Sequence, residues 1–231
     1  MLLFILGTLT LLIFLAWATY RSALVLREIA TQVNVLLMPA ENVMRLGLLG
    51  VCFLLARVSG LPAAQFGWNT TNLAQHIWLG MMVGAIVAIS VPLLTRWAIA
   101  QFGKRIYSPM VVQSIMPRRP IEWLWIPLAL IPAVTLEEIL FRSLLLGGFA
   151  SFAPPFLLAV VWSLIFGAMH APQGTLGIVV ASALGLLLSA MFLSTQNIFA
   201  PIVAHYTINL GQLVWASRDR YWEHYDAGDH S

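Results

Sequence analysis

The chain has 231 residues, of which 60% are hydrophobic and only 9% charged, with a mean hydropathy of +0.88. A soluble domain carries about 25% charged residues, so this composition excludes one and defines a membrane protein. The net charge of +3 does not point to nucleic acid, because excess Arg is what the cytoplasmic loops of a membrane protein carry. Cys52 is the single cysteine, which excludes an intrachain disulfide and a Cys-based metal site and leaves it as a small buried hydrophobe.

In chain order, residues 2–19 form the first span, closed by Tyr20 and Arg21. This run lacks a basic leader and a small-residue cleavage site, so it reads as a retained membrane helix. Residues 22–45 carry Arg27, Glu28, Glu41 and Arg45 and read as an interfacial amphipathic helix ending near Pro39. A second, short span covers 46–58, between Arg45 and Arg57. The polar stretch GLPAAQFGWNTTNLAQH is a connection, and a third span covers 77–94. Residues 95–120 then hold Arg96, Lys104, Arg105, Arg118 and Arg119 with no acidic residue, which marks the cytoplasmic side. Four further spans cover 121–150, with bends expected at Pro127 and Pro132, then 155–170, 176–193 and 198–215. The tail from 216 is polar.

The expectation is an all-α polytopic membrane protein, a bundle of about seven (six to eight) transmembrane helices, N-terminus outside and C-terminus inside. Trp17, Tyr20, Trp78, Trp97 and Trp215 read as interface anchors. Gly177, Ala181, Gly185 and Ser189, each four apart, and Gly80 with Gly84 read as surfaces for close helix packing. Asn69-Thr70-Thr71 matches a glycosylation sequon by chance, and His76, His224 and His230 read as interfacial or solvated.

One stretch breaks the apolar pattern: VTLEEILFRSLLLGG places Glu137, Glu138 and Arg142 inside the greasiest half of the chain. An ionisable residue at mid-membrane costs about 2.5–3.5 kcal/mol on insertion scales and marks function by default. Glu138 and Arg142 are i,i+4 on a helix and can pair, while Glu137 points about 100° away. That leaves Glu137 without a partner unless a histidine supplies one. Two histidines follow in apolar helices. His170 ends FGAMH, one turn after Phe166, and His205 opens HYTIN, one turn before Asn209. Counting residues from the FAPP turn puts Glu137 and His170 level, at about 20–24 Å from it. His205 lies only about two turns past STQN and meets them only if the helices tilt.

A desolvated carboxylate near a cation can take a proton from water, and His and Asn can donate to an oxyanion. That chemistry fits hydrolysis of a peptide bond by an activated water. No Ser–His–Asp set, nucleophilic Cys or HExxH motif is evident. A non-catalytic binding protein that keeps the polar site for packing, and a proton-relay transporter, are the alternative classes. The absence of an inverted repeat speaks against the transporter.

EEILFR, FGAMH and HYTIN, in that order over about residues 121–215, resemble the CPBP family, which comprises type II CAAX prenyl proteases and bacteriocin-processing or immunity proteins, also called the Abi family. The resemblance implies that Glu137 activates water with help from His170, that His205 and Asn209 stabilise the oxyanion, and that Glu138, Arg142 and Phe166 support the site. It leaves open whether the enzyme is metal-free or a zinc enzyme, in which case Glu137, His170 and His205 are the ligands. It divides the chain into a variable region (1–120), a catalytic core (121–215) and a tail (216–231). It implies a peptide or membrane-protein substrate and a multi-pass location in the bacterial inner membrane, surrounded by lipid. The Arg-rich composition, with Lys104 the sole lysine, carries the bias of a GC-rich bacterial genome and argues against prenylated substrates. Ser143 stands where many members of the family carry Gly, and tighter packing is expected there.

Overall fold

The computed structural model describes residues 1–28 and 34–219. Among the described residues the regular structure is entirely helical. It comprises α1 (Leu2–Glu28), α2 (Pro39–Ser59), α3 (Leu73–Phe102), the short α4 (Met110–Ile115), α5 (Glu122–Glu138), α6 (Pro155–Met169), α7 (Gly174–Thr195) and α8 (Phe199–Asp219). From Ile139 to Gly147 the chain continues α5 as a π-helix. The protein is an all-α polytopic membrane protein, and each of the seven expected spans falls on one of its long helices.

Among the described residues five segments are long and apolar enough to cross a bilayer: Leu2–Leu26, Pro39–Ser59, Leu73–Phe102, Glu122–Gly147 and Ala171–Thr195. The other two fall short for different reasons. α6 has 15 residues, about 22 Å at 1.5 Å per residue, against a hydrocarbon core about 30 Å thick. α8 is long enough but carries His205, Asn209, Gln212 and Arg218 among its apolar residues.

The interfacial helix expected over 22–45 is not present as such. Residues up to Glu28 prolong α1, and Pro39 opens α2, where a missing N–H costs nothing in the first turn. Between them Val35–Leu37 makes a single 3₁₀ turn capped by Asn34, whose amide donates to Ile115 O at 2.8 Å; residues 29–33 lie outside the described set. Pro127 and Pro132 both sit inside α5, which runs through them without a break. The departure from α-geometry comes afterwards, at Ile139.

The loops sort to two ends. At one end, the α2–α3 connection binds both other turns: Gln65 Nε2 donates to Gly147 O (3.1 Å), Ile198 N to Gly67 O (3.0 Å) and Asn197 Nδ2 to Asn69 O (2.9 Å). At the opposite end, the basic segment meets the α6–α7 turn through Ser108 N donating to Gln173 O at 2.9 Å. There Arg96 also pairs with Asp219 at the end of α8. This alternation is what an up-and-down bundle requires.

Small residues set the two closest helix contacts, as their spacing led one to expect. A Cβ on Gly80 would sit 2.6 Å from Ala200 O, and one on Gly84 would sit 2.7 Å from Ala204 O, so α3 lies backbone-to-backbone on α8. Gly185 of α7 abuts Ser163 of α6, where a Cβ would come within 3.0 Å. Trp17, Tyr20, Trp78 and Trp97 are exposed on the outside, as anchors should be. Trp215 is not of that kind: it is half-buried, donates to Asp219 Oδ2 at 3.3 Å and stacks under Arg96. Cys52 is fully buried.

Candidate active site

The last turn of α5 carries the acids and the first π-turn carries the cation. Arg142 Nη1 donates to Glu138 Oε1 at 2.8 Å, and Nη2 to Gly185 O at 3.2 Å. Both side chains are wholly enclosed, at 1% and 0% exposure. The carbonyl of Gly185 is reachable because no side chain stands on that position where α7 meets α6. The i,i+4 pair read from the sequence therefore exists and also clamps α5 to α7.

His205 completes the arrangement. Its Nδ1 lies 2.7 Å from the same Glu138 Oε1, and its Nε2 lies 3.8 Å from Glu137 Oε2. An ionised Glu138 can only accept, so Nδ1 carries the hydrogen and Nε2 is the nitrogen that faces Glu137. The imidazole thus bridges the two adjacent carboxylates. Glu137 lies within ion-pair range of His205, beyond hydrogen-bond length, and Glu138 has two donors on one oxygen to offset its desolvation.

Phe166 packs against three of the site's side chains. Its ring lies 5.0 Å from the Arg142 guanidinium, 4.6 Å from the His170 ring and 6.0 Å from the His205 ring. His170 Nδ1 donates to Phe166 O at 2.8 Å, since a carbonyl can only accept, which leaves Nε2 as an acceptor. Glu137, Phe166, His170, His205 and Asn209 all line one cavity of about 310 Å³, and Glu137, at 43% exposure, is the carboxylate that faces it.

The relative depths differ from expectation. His205, expected off level, is the histidine in contact with both acids, while His170 sits one turn away and reaches the cluster through Phe166. The reason is the π-helix. A π-turn holds more residues than an α-turn and so rises less per residue, and the helix ends at Gly147, only ten residues past Glu137. His205 is six residues into α8, and the starts of both return paths are tied to the same 60–72 loop. Counting at α-rise to the FAPP turn overestimated the depth of Glu137.

A zinc centre built from Glu137, His170 and His205 does not fit. Among the described residues no three His, Cys, Asp or Glu side chains converge as a metal requires.

Two features escaped the sequence reading. Ser143 Oγ donates to Phe66 O at 2.7 Å and accepts from Trp68 Nε1 at 3.1 Å, tying the π-helix to the 60–72 loop. Arg45, read as a flank of the second span, lines the cavity together with Glu137. A hydroxyl in the position after Arg142 was the only available sign of the first; nothing in the sequence marked the second.

The interior of the helical membrane bundle thus holds Glu137, His205 and Glu138 side by side, with Glu137 and His205 lining the cavity. Residues 119–211 match the family model for type II CAAX prenyl endopeptidase, Rce1-like, and this segment includes all three motifs. That match is consistent with the resemblance of EEILFR, FGAMH and HYTIN to the CPBP family. No curated protein and no solved structure matches the chain.

Proposed function

We propose that the protein is an intramembrane endopeptidase that hydrolyses a bond in a peptide or a membrane-anchored protein, using a water activated by Glu137. The observation that carries this reading is the His205 bridge between Glu138 and Glu137 at the wall of a cavity.

A water held between Glu137 and His170 Nε2 gives its proton to the carboxylate and attacks the substrate carbonyl. The developing oxyanion is met by hydrogen bonds from Asn209 and from His205 Nε2 when that nitrogen carries a proton. The departing amine then takes the proton from Glu137. Glu138 and Arg142 position His205 and hold α5 to α7, and Phe166 packs against both imidazoles. On this reading residues 121–215 are the catalytic core, 1–120 supply the cavity's outer wall, and 216–231 are a tail. The basic segment 95–120 lies on the cytoplasmic side of a bacterial inner membrane. The cavity reaches that end, because Tyr107, Val111 and Gln173 belong to its lining.

The test is a pair of variants, Glu137→Gln and His170→Ala, compared with wild type for processing of whichever precursor accumulates in a deletion strain, alongside protein abundance in the membrane. Processing lost at normal abundance supports the proposal. Biological function retained in both variants identifies an immunity or partner-binding protein instead.

A further inference from the structure

At the end of the bundle opposite the basic segment, a depression of about 700 Å³ lies between the start of α3 and the end of α7. No Asp, Glu, Lys or Arg lines it. Its polar wall is made of amides and hydroxyls. Thr71, Asn72 and Gln75 are exposed, and Asn72 precedes α3 without capping it. Across from them, Ser194 and Thr195 donate to Met191 O at 3.1 and 2.7 Å, which leaves the lone pairs of both hydroxyls to accept. His76 Nδ1 is enclosed and has no hydrogen-bond partner. The site is preformed, because the two loops that frame it are fixed to each other: Asn69 Nδ2 donates to Gln196 O at 2.8 Å, and Asn197 Nδ2 to Asn69 Oδ1 at 3.1 Å.

The rest of the wall is apolar. Trp78, Leu79 and Met82 follow Gln75 along one face of α3 at helical spacing, and all three are exposed. α3 is a membrane span of 30 residues, about 45 Å at 1.5 Å per residue, against a hydrocarbon core about 30 Å thick. Shared equally between the two ends, the excess puts about five residues at each end among lipid headgroups. Gln75 and His76 fall within that stretch, and Trp78, Leu79 and Met82 fall beyond it. The depression therefore runs from headgroup level into the acyl layer along a lipid-facing helix.

We propose that it binds a membrane lipid with an uncharged, hydroxyl-rich headgroup, of the glycosyl diacylglycerol class. The headgroup meets Thr71, Gln75 and His76, and an acyl chain lies along Trp78 and Met82. A sugar hydroxyl both donates and accepts, and the amides, hydroxyls and imidazole of the wall offer both. A phospholipid fits less well, because no Lys or Arg meets its phosphate and no carboxylate meets an ammonium headgroup. A soluble sugar leaves the apolar wall uncovered.

The experiment uses the full chain in a polyoxyethylene detergent, which carries no sugar, and counts bound lipid by native mass spectrometry. The probes are monoglucosyl dioleoylglycerol, dioleoylglycerol, dioleoyl phosphatidylcholine and dioleoyl phosphatidylglycerol, which share their chains, with methyl glucoside as the sugar alone. The glucosyl lipid is expected to bind about 10- to 100-fold more tightly than each of the other three lipids, the worth of about two net hydrogen bonds. Thr71→Val/Gln75→Leu removes that preference and leaves dioleoylglycerol binding unchanged; both positions are exposed, so the fold does not depend on them. Met82→Ala weakens the glucosyl lipid and dioleoylglycerol alike. Equal binding of those two lipids by wild type, tighter binding of either phospholipid, or a preference that survives Thr71→Val/Gln75→Leu overturns the proposal. Displacement of the glucosyl lipid by an equal concentration of methyl glucoside assigns the site to a soluble sugar and overturns it as well.

Discussion

Replacing Arg142 with Met leaves the shape of the side chain nearly intact and removes its charge. In the native protein Glu138 Oε1 accepts from Arg142 Nη1 at 2.8 Å and His205 Nδ1 at 2.7 Å, and the carboxylate has no exposure at all. Arg142→Met strips one of the two donors, leaves a buried anion against a single imidazole, and abandons the Gly185 carbonyl on α7. Removing one member of a buried ion pair costs about 3–5 kcal/mol, because the other charge stays behind in a low-dielectric site. For a chain of this size about 2–4 °C of Tm accompanies each kcal/mol, so a fall of roughly 6–20 °C is expected. Tryptophan emission during heating of the detergent-purified protein reads it directly, since the chain has nine Trp. Glu138→Gln/Arg142→Met, which removes both charges, should recover more than half of the loss. A Tm within about 3 °C of wild type for the single variant, under roughly 1 kcal/mol, refutes the claim that this pair is a buried clamp.

Asn209→Ala should lower the rate by about 100- to 1,000-fold with little change in substrate affinity, the loss expected for one oxyanion donor; kcat and KM measured separately check it. Gly84→Val pushes a side chain into Ala204 O and Thr207 and should cost about 1–3 kcal/mol by overpacking, with a matching loss of activity because α8 carries His205. Gly47→Ala, where a Cβ meets nothing within 4 Å, is the neutral control in the same thermal assay. Ser143→Gly orphans Trp68 Nε1 and Phe66 O and should cost about 1–3 kcal/mol, visible as a lower Tm with motif chemistry intact.

Much of the site was legible because its chemistry is expensive in a membrane. An acid, an Arg four residues on, and two histidines on apolar helices have few explanations other than one shared cluster, and spacing alone paired Glu138 with Arg142. The small-residue ladders marked faces for close packing for a similar reason, since only a missing side chain permits that approach, but they did not say that α3 would meet α8 or α7 meet α6. What stayed hidden depends on winding and on distant partners. Ile139–Gly147 reads as an ordinary apolar helix, since side-chain type does not announce an i→i+5 ladder, and the error in depth between His205 and His170 followed from that. The charges at Arg27, Glu28, Glu41 and Arg45 suggested an interfacial helix because amphipathicity on one face looks the same whether the face meets headgroups or an internal cavity. Trp215 looked like an anchor until Arg96, more than a hundred residues earlier in the chain, was found beneath it.

The π-helix makes this part of the chain sensitive to residue count rather than residue identity. Deleting one residue between Ile139 and Gly147 while the i→i+5 winding is kept would turn everything beyond it by roughly a quarter of a circle. Gln65 would lose its carbonyl at Gly147, and α6 would deliver Phe166 to the wrong side of the guanidinium. A sequence that keeps EEILFR, FGAMH and HYTIN letter for letter but is one residue shorter there would hold every reactive group and lack the register that makes them neighbours.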